Sequence, residues 1–154
     1  MARRLDFQAR LLLFVRPTFG FLSVPGQEIS PNLGARLKHM LDLYKGFVRP
    51  FMSTGRIYHH TPVFDGPEPK GWGVLELASH DRSQGIAGLF QLADPRESEY
   101  LLRLRGLDVG RVYRVNWDNS GQSCEVSGFT LMKQGIPVRL EGALTSELLL
   151  FQAV

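Results

Sequence analysis

Residues 30–52 read SPNLGARLKHMLDLYKGFVRPFM, and this stretch predicts one amphipathic helix. Ser30 is a typical helix N-cap, and Pro31 suits the first helical position because its missing N–H needs no partner there. Pro50 disfavours a helical conformation at the preceding residue, so the helix is predicted to span 31–50 and to end near Arg49. The apolar side chains recur every three or four positions: Leu33, Leu37, Met40, Leu41, Tyr44, Phe47, Val48 and Phe51. A stripe this wide is expected to be buried against a larger body.

After Gly55 the hydrophobic period changes to two, which is typical of strands. Turn signals, among them Asp65-Gly66-Pro67 and Asp118–Gly121, separate the apolar runs. The predicted strands are Arg56–Thr61, Trp72–Ser79, Gly85–Leu92, Tyr100–Arg105, Val112–Trp117, Ser123–Val126, Pro137–Glu141 and Glu147–Gln152. A short helical turn at Thr130–Gln134 is predicted to end at Gly135. The pattern predicts a mainly β protein, α+β overall, with an antiparallel β-sandwich of about eight strands after an amphipathic helix.

The first 29 residues are less regular. Phe7–Val15 (FQARLLLFV) is strongly apolar and fits either a buried strand or a short helix, because periodicity does not separate the two in so short a run. Prolines and glycines between positions 17 and 26 then indicate a loop. No apolar run approaches the roughly 20 residues of a membrane helix, so no membrane association is predicted.

The charge is unevenly distributed along the 154 residues. Residues 1–60 carry nine Lys/Arg and three Asp/Glu, and residues 61–154 carry nine and twelve, so the two parts have net charges of +6 and −3. The basic residues are scattered and no aromatic-plus-basic motif accompanies them, which argues against nucleic-acid binding. Cys124 is the only cysteine. It is expected to be a small core residue of a strand, and the absence of a disulfide favours a reducing, cytoplasmic location.

No catalytic residue, metal ligand or cofactor site is predicted. His59 and His60 would point to opposite faces of a strand, so they cannot bind one ion together. The sequence has no phosphate loop, dinucleotide fingerprint or nucleophile elbow. Asp118 is followed by Asn-Ser-Gly and is expected to begin a turn and bond its own backbone. The other acidic residues of the strand-rich region are expected on solvated faces: Glu76, Asp81, Glu125 and Glu141.

Three aromatic residues are candidates for stacking on a sugar ring. Tyr58, Trp72 and Trp117 lie on predicted strands, and flat aromatic faces suit the apolar faces of sugars. Single aromatic residues on strands are more often part of the core, so both interpretations stay open.

Several short motifs occur in a characteristic order from the helix to the end of the chain: Leu43-Tyr44-Lys45, Val48-Arg49-Pro50, Arg56–Pro62, Gly71-Trp72-Gly73, Ser79-His80-Asp81, Gly88-Leu89-Phe90, Tyr100–Leu107, Tyr113-Arg114-Val115 and Leu140–Leu149. In this order they resemble the C-terminal part of an α-galactosidase of the melibiase type, glycoside hydrolase family 36, over most of residues 30–154. The resemblance implies that residues 1–54 are the end of a (β/α)8 catalytic barrel and that residues 55–154 form the C-terminal sandwich domain.

The family resemblance also implies an activity for the parent enzyme. The parent would hydrolyse terminal α-galactosyl groups of sugars such as raffinose or melibiose by a retaining mechanism with two Asp residues. Those residues lie on earlier barrel strands, and no position here matches them. The chain alone is therefore expected to be an inactive structural β-domain whose partner is the missing catalytic barrel, with galactosides bound through the parent.

Two other functions are compatible with the sequence. The chain could be a stand-alone carbohydrate-binding module that uses the three candidate aromatic residues. Alternatively, the apolar helix face Leu33–Phe51 could mediate formation of a homo-oligomer. The second alternative requires that face to be exposed, because large apolar patches rarely stay in water.

Overall fold

The computed structural model describes residues 2–15, 30–61, 70–93 and 97–154, and its largest element is a six-stranded antiparallel sheet. The strands of the chain are β1 (Arg56–His59), β2 (Trp72–Ala78), β3 (Gln84–Gln91), β4 (Glu99–Leu102), β5 (Val112–Trp117), β6 (Ser123–Ser127), β7 (Ile136–Arg139) and β8 (Thr145–Ala153). The large sheet has the order β1-β2-β3-β8-β5-β6, while β4 and β7 pair as a separate two-stranded sheet. The last strand thus lies in the middle of the large sheet, between β3 and β5.

The small sheet packs on one face of the large sheet and encloses the sandwich core. Alternate residues of β2, β3, β5 and β8 point to this face, as the period of two requires. The core residues are Val74, Ala87, Leu89, Leu102, Leu104, Leu107, Tyr113, Val115, Leu131, Ile136, Val138, Leu140, Leu149 and Phe151. The mainly β fold and the β-sandwich architecture are confirmed.

Helices cover the opposite face of the large sheet. They are α1 (Ala2–Leu11), which continues into a 3₁₀ turn, α2 (Pro31–Leu43) and α3 (Arg49–Met52). The helix-side core between these helices and the sheet contains Phe7, Ala9, Leu13, Phe14, Met40, Val48, Phe51, Leu77, Ile86, Phe90, Leu148 and Leu150. This helix-side core includes Met40, Val48 and Phe51 of the apolar stripe. Much of that stripe is therefore buried within the chain. In Phe7–Val15, for which strand and helix were both open, residues 7–14 are helical and Val15 is extended.

Pro50 does not end the helical segment, and this prediction was wrong. A π-helical turn at Tyr44–Val48 joins α2 to α3, and the Arg49 N–H bonds to the Tyr44 carbonyl five residues earlier. Arg49 itself is helical, with φ −54° and ψ −38°. The wider turn places Pro50 in the first turn of α3, where a missing N–H does no harm, so the helical conformation continues to Met52.

The eight predicted strands are confirmed, with ends that differ by three residues or fewer. The turn at Thr130–Gln134 is a π-helical turn and ends at Gly135, which has φ +89°. The prediction for Cys124 was wrong, because this side chain is exposed. It lies on β6, the edge strand of the large sheet, where four of five residues are exposed. Within the described ranges, no helix is both long and apolar enough to cross a bilayer.

Candidate functional site

A buried guanidinium group joins the helical layer to the sheet. Arg10, near the end of α1, donates from Nη1 to the backbone carbonyl and to Oγ of Ser146 on β8, the latter at 3.1 Å. Its Nη2 donates to Asp118 Oδ2 and to Asn119 Oδ1, both at 2.7 Å. The Arg10 side chain is only 9% exposed. We call Arg10, His39, Asp118, Asn119 and Ser146 the polar junction.

Asp118 is the acidic member of the polar junction. Its second oxygen, Oδ1, lies 2.6 Å from Nε2 of His39 on α2, so two helices contact one carboxylate. The Asp118 side chain is 6% exposed. The expected turn is present, since Gly121 N–H bonds to the Trp117 carbonyl at 2.8 Å. The expected bond from the Asp118 side chain to its own backbone was wrong, because both oxygens are held by side chains from the helices.

A second acidic residue, Glu147, lies beside the junction on β8. Its Oε1 accepts the N–H groups of Asn119 and Leu148, each at 2.9 Å. Burial raises the pKa of Glu147, and the nearby Asp118 charge also raises it, while the two N–H groups and Arg10 oppose this shift.

Two cavities border the polar junction. One of about 350 Å³ lies towards α2, and its lining includes Arg36 and His39. The other, of about 280 Å³, lies towards the loop before β8, and its lining includes Arg139 and Glu141. Asp6, Arg10 and Asn119 line both. These volumes are at the low end for small-molecule pockets.

The polar junction joins the helical layer to the sheet through hydrogen bonds. A glycosidase pair needs one carboxyl group that protonates the leaving group and one that attacks the sugar or activates water. Here both oxygens of Asp118 are already bonded by Arg10 and His39, and Glu147 is bonded by two backbone N–H groups. Removing one partner of the Arg10–Asp118 pair would leave a buried charge unpaired, which is costly.

Glu76 is a second buried carboxylate, and its predicted solvated position was wrong. It is 1% exposed on β2. It accepts the Gly106 N–H at 2.7 Å and the Arg105 N–H at 2.9 Å, and it contacts His60 Nε2 at 2.7 Å. The sequence contains a signal for this burial: β2 reads WGVLELA, a nearly continuous apolar run typical of a strand covered on both faces.

The three predicted sugar-stacking residues do not meet in one place. Tyr58 lies on β1, Trp72 on β2 and Trp117 on β5. In the large sheet, β3 and β8 separate β2 from β5. All three are half-buried. Both tryptophans pack against the sandwich core, and Trp72 makes a tilted contact with Tyr100 at a centroid distance of 5.6 Å. These contacts are those of core aromatic residues.

Metal-binding side chains are not clustered in the part of the chain that the structure describes, where no group of three or more His, Cys, Asp or Glu could hold an ion. His59 is exposed on β1, whereas His60 bonds to Glu76. The adjacent histidines therefore have different environments.

Residues 72–151, from β2 almost to the end of β8, match the family model of the glycosyl hydrolase family 36 C-terminal domain. The chain belongs to this family. The matched stretch contains all of the sandwich core, whereas α1, α2 and β1 precede it. The polar junction thus connects a helix outside the matched stretch to residues within it. No curated protein matches the chain.

Solved structures of two α-galactosidases share the fold of this family 36 domain. The galactosidase domain of an α-galactosidase–sucrose kinase matches 82% of the chain with a TM-score of 0.64 and 20% identity. The α-galactosidase from Lactobacillus brevis matches the same share with a TM-score of 0.66 and 23% identity. In both cases the chain corresponds to only 17% of the matched structure.

Proposed function

We propose that this chain is the C-terminal β-domain of an α-galactosidase-like glycoside hydrolase and that it is not catalytic by itself. The observation that carries this proposal is the size relationship: 82% of the chain matches solved α-galactosidase structures, yet it spans only 17% of their length. The carboxylates Asp118, Glu147 and Glu76 support the second part, because each is less than a tenth exposed and is not accessible to a sugar.

The partner in this proposal is the catalytic barrel of the parent enzyme, which would bind and cleave terminal α-galactosides. The domain would stabilise the end of the barrel from outside rather than contribute a reacting group. A domain that works in this way needs firm attachment between its helices and its sheet, which the Arg10–Asp118 pair supplies. We also propose a cytoplasmic location, which a single cysteine favours.

A direct assay tests the absence of catalysis. We expect the purified chain to release no nitrophenol from p-nitrophenyl α-galactoside above the buffer rate, with a known α-galactosidase as positive control. Turnover that co-purifies with the chain would overturn the proposal that it is non-catalytic.

The genomic reading frame tests the proposed parent. We expect it to continue upstream of the Met1 codon into barrel strands that carry two catalytic Asp residues. A stop codon in frame directly before Met1, with no such coding sequence nearby, would contradict the proposal.

No specific observation favours the two alternative functions. Trp72 and Trp117 pack against the sandwich core, and Met40, Val48 and Phe51 of the apolar stripe are buried within the chain. We expect calorimetry with galactose and raffinose to show no binding at millimolar sugar. We expect light scattering to give the mass of a monomer.

A further inference from the structure

A small cleft lies away from the polar junction, between the start of β1 and the turn that joins β2 to β3. Its volume is about 80 Å³, well below the usual size of a pocket for a drug-sized molecule. The cleft is lined by Arg56, Tyr58, Ser79, His80, Arg82 and Gly106. A cleft of this size suits a ligand of a few heavy atoms.

Two arginines and a histidine line the cleft. Arg56 and Arg82 both line it, and within the described ranges neither guanidinium has an ion-pair partner or a hydrogen bond. The exposed imidazole of His80 lies beside them. Two unpaired arginines at one small cleft repel each other, so an anion placed between them is favoured.

The two acidic residues nearby form hydrogen bonds with groups other than the cleft arginines. Asp81 Oδ1 accepts the hydroxyl groups of Ser79 and Ser83 at 2.7 and 2.8 Å within the turn. Glu76, behind Gly106, is bonded to backbone N–H groups and to His60. Neither carboxylate pairs with the two cleft arginines.

The turn that carries Arg82 is held firmly in an uncommon conformation. Arg82 has φ +60°, a region that non-glycine residues rarely adopt. Its N–H bonds to the Ser79 carbonyl at 3.0 Å, and its own carbonyl accepts the Tyr113 hydroxyl at 2.7 Å. Arg111 Nη1 donates to the Asp81 carbonyl at 3.2 Å. Strained residues that their surroundings hold in place are frequent at binding sites, because the strain keeps the side chain positioned for a ligand.

We propose that this cleft binds a small tetrahedral oxyanion of the phosphate type through Arg56 and Arg82. Guanidinium groups form paired, charge-assisted hydrogen bonds with phosphate oxygens. The Tyr58 hydroxyl and the His80 ring are further donors at the same cleft. This site is independent of the proposed function, because it needs neither a sugar nor a catalytic barrel.

Arg82→Gly is the decisive variant, because glycine adopts positive φ without strain and the substitution removes the guanidinium. The hydrogen bonds of the Arg82 backbone remain available, so the variant is expected to fold. Leu144→Gly is the matched control: Leu144 also has positive φ, at +58°, but does not line this cleft. Arg56→Gln tests the second arginine.

The measurement is thermal unfolding against inorganic phosphate at constant ionic strength, together with ³¹P line broadening of free phosphate. At a phosphate concentration roughly ten times the dissociation constant, the midpoint should rise by about 3–6 °C in the wild type and in Leu144→Gly. Above the dissociation constant the rise should follow the logarithm of the phosphate concentration in these two proteins, and it should be absent in Arg82→Gly and reduced in Arg56→Gln. Exclusion of phosphate from the surface raises the midpoints of all variants alike and roughly in proportion to its concentration, so the two effects are distinguishable.

An identical logarithmic response in wild type and Arg82→Gly would overturn the proposal, as would no such response in the wild type. Methyl phosphate in place of inorganic phosphate identifies the source of the anion. Equal or tighter binding of methyl phosphate indicates that the site accepts a phosphate ester, and preference for inorganic phosphate indicates the free anion. Failure of this proposal would leave the proposed α-galactosidase parent untouched, because the galactoside assay and the reading frame test that separately.

Discussion

Replacing Arg10 by methionine should strongly destabilise the protein. The substitution keeps a long apolar side chain but removes four hydrogen bonds, to Ser146 (two), Asp118 and Asn119. Asp118, which is 6% exposed, would keep only His39 as a partner. Removing one partner of a buried ion pair lowers the free energy of unfolding by about 3–5 kcal/mol, because the remaining charge is buried without a partner.

The assay is urea or thermal unfolding followed by circular dichroism. For a chain of this size 1 kcal/mol corresponds to about 2–4 °C, so the melting temperature of Arg10→Met should fall by about 6–20 °C. The matched control is Arg36→Met, which breaks the ion pair between Arg36 and Asp6. These side chains are 43% and 30% exposed, so the cost should be about 0–1 kcal/mol.

A second substitution separates the charge effect from lost packing. In the Arg10→Met background, Asp118→Asn removes the unpaired charge and should recover part of the stability. The reasoning is refuted if Arg10→Met unfolds within about 1 kcal/mol of Arg36→Met, since buried and exposed pairs would then be equivalent. In that case α1 would not be attached to the sheet through Arg10.

Three further substitutions test other parts of the structure. Phe51→Ala should lower the free energy of unfolding, measured with a denaturant, by about 3–5 kcal/mol. The control Phe129→Ala, at a residue 52% exposed, should lower it by about 0.5 kcal/mol or less, and similar losses in both variants would contradict the buried helix face. Gly88→Ala would place a Cβ 2.6 Å from the Phe14 ring, so we expect a loss of about 1–3 kcal/mol by thermal unfolding, and a neutral result would mean that Phe14 does not pack there. Hydrogen bonds, led by that from a serine hydroxyl in its turn, lower the pKa of Asp81 from 3.8 to about 2. The ionised Asp81 therefore contributes to stability above pH 3.8, and this contribution is lost as the pH falls towards 2. Unfolding measured across this acid range should show the loss in the wild type and not in Asp81→Asn.

The strands were predictable because their signals are local. Alternation and turn residues depend on neighbouring positions only, so all eight strands and the Thr130–Gln134 turn follow from short windows of sequence. Two predictions from the local sequence were wrong, one because the backbone adjusted locally and one because of the order of strands in the sheet. The π-helical turn accommodates Pro50, and the edge position of β6 exposes Cys124.

The order of the motifs also indicated the family correctly, because the relative positions of many weak motifs survive when single residues do not. The same motifs contained no information on the cleft at Arg56 and Arg82. These two arginines line one cleft because β1 pairs with β2 and the turn after β2 lies beside the start of β1. Arg82 was not predicted to have positive φ, since no glycine or asparagine marks that position.

The sequence by itself determined the strands, the amphipathic helix and the family of this protein, because each follows from the order and spacing of residues along the chain. Only the tertiary structure decided which polar side chains are buried, and with what partners. Arg10 bonds to a residue 136 positions away, and Glu76 bonds to N–H groups about 30 positions away. Contacts at such separations depend on how the strands are ordered in the sheet, and the hydrophobic periodicity of the sequence does not specify that order.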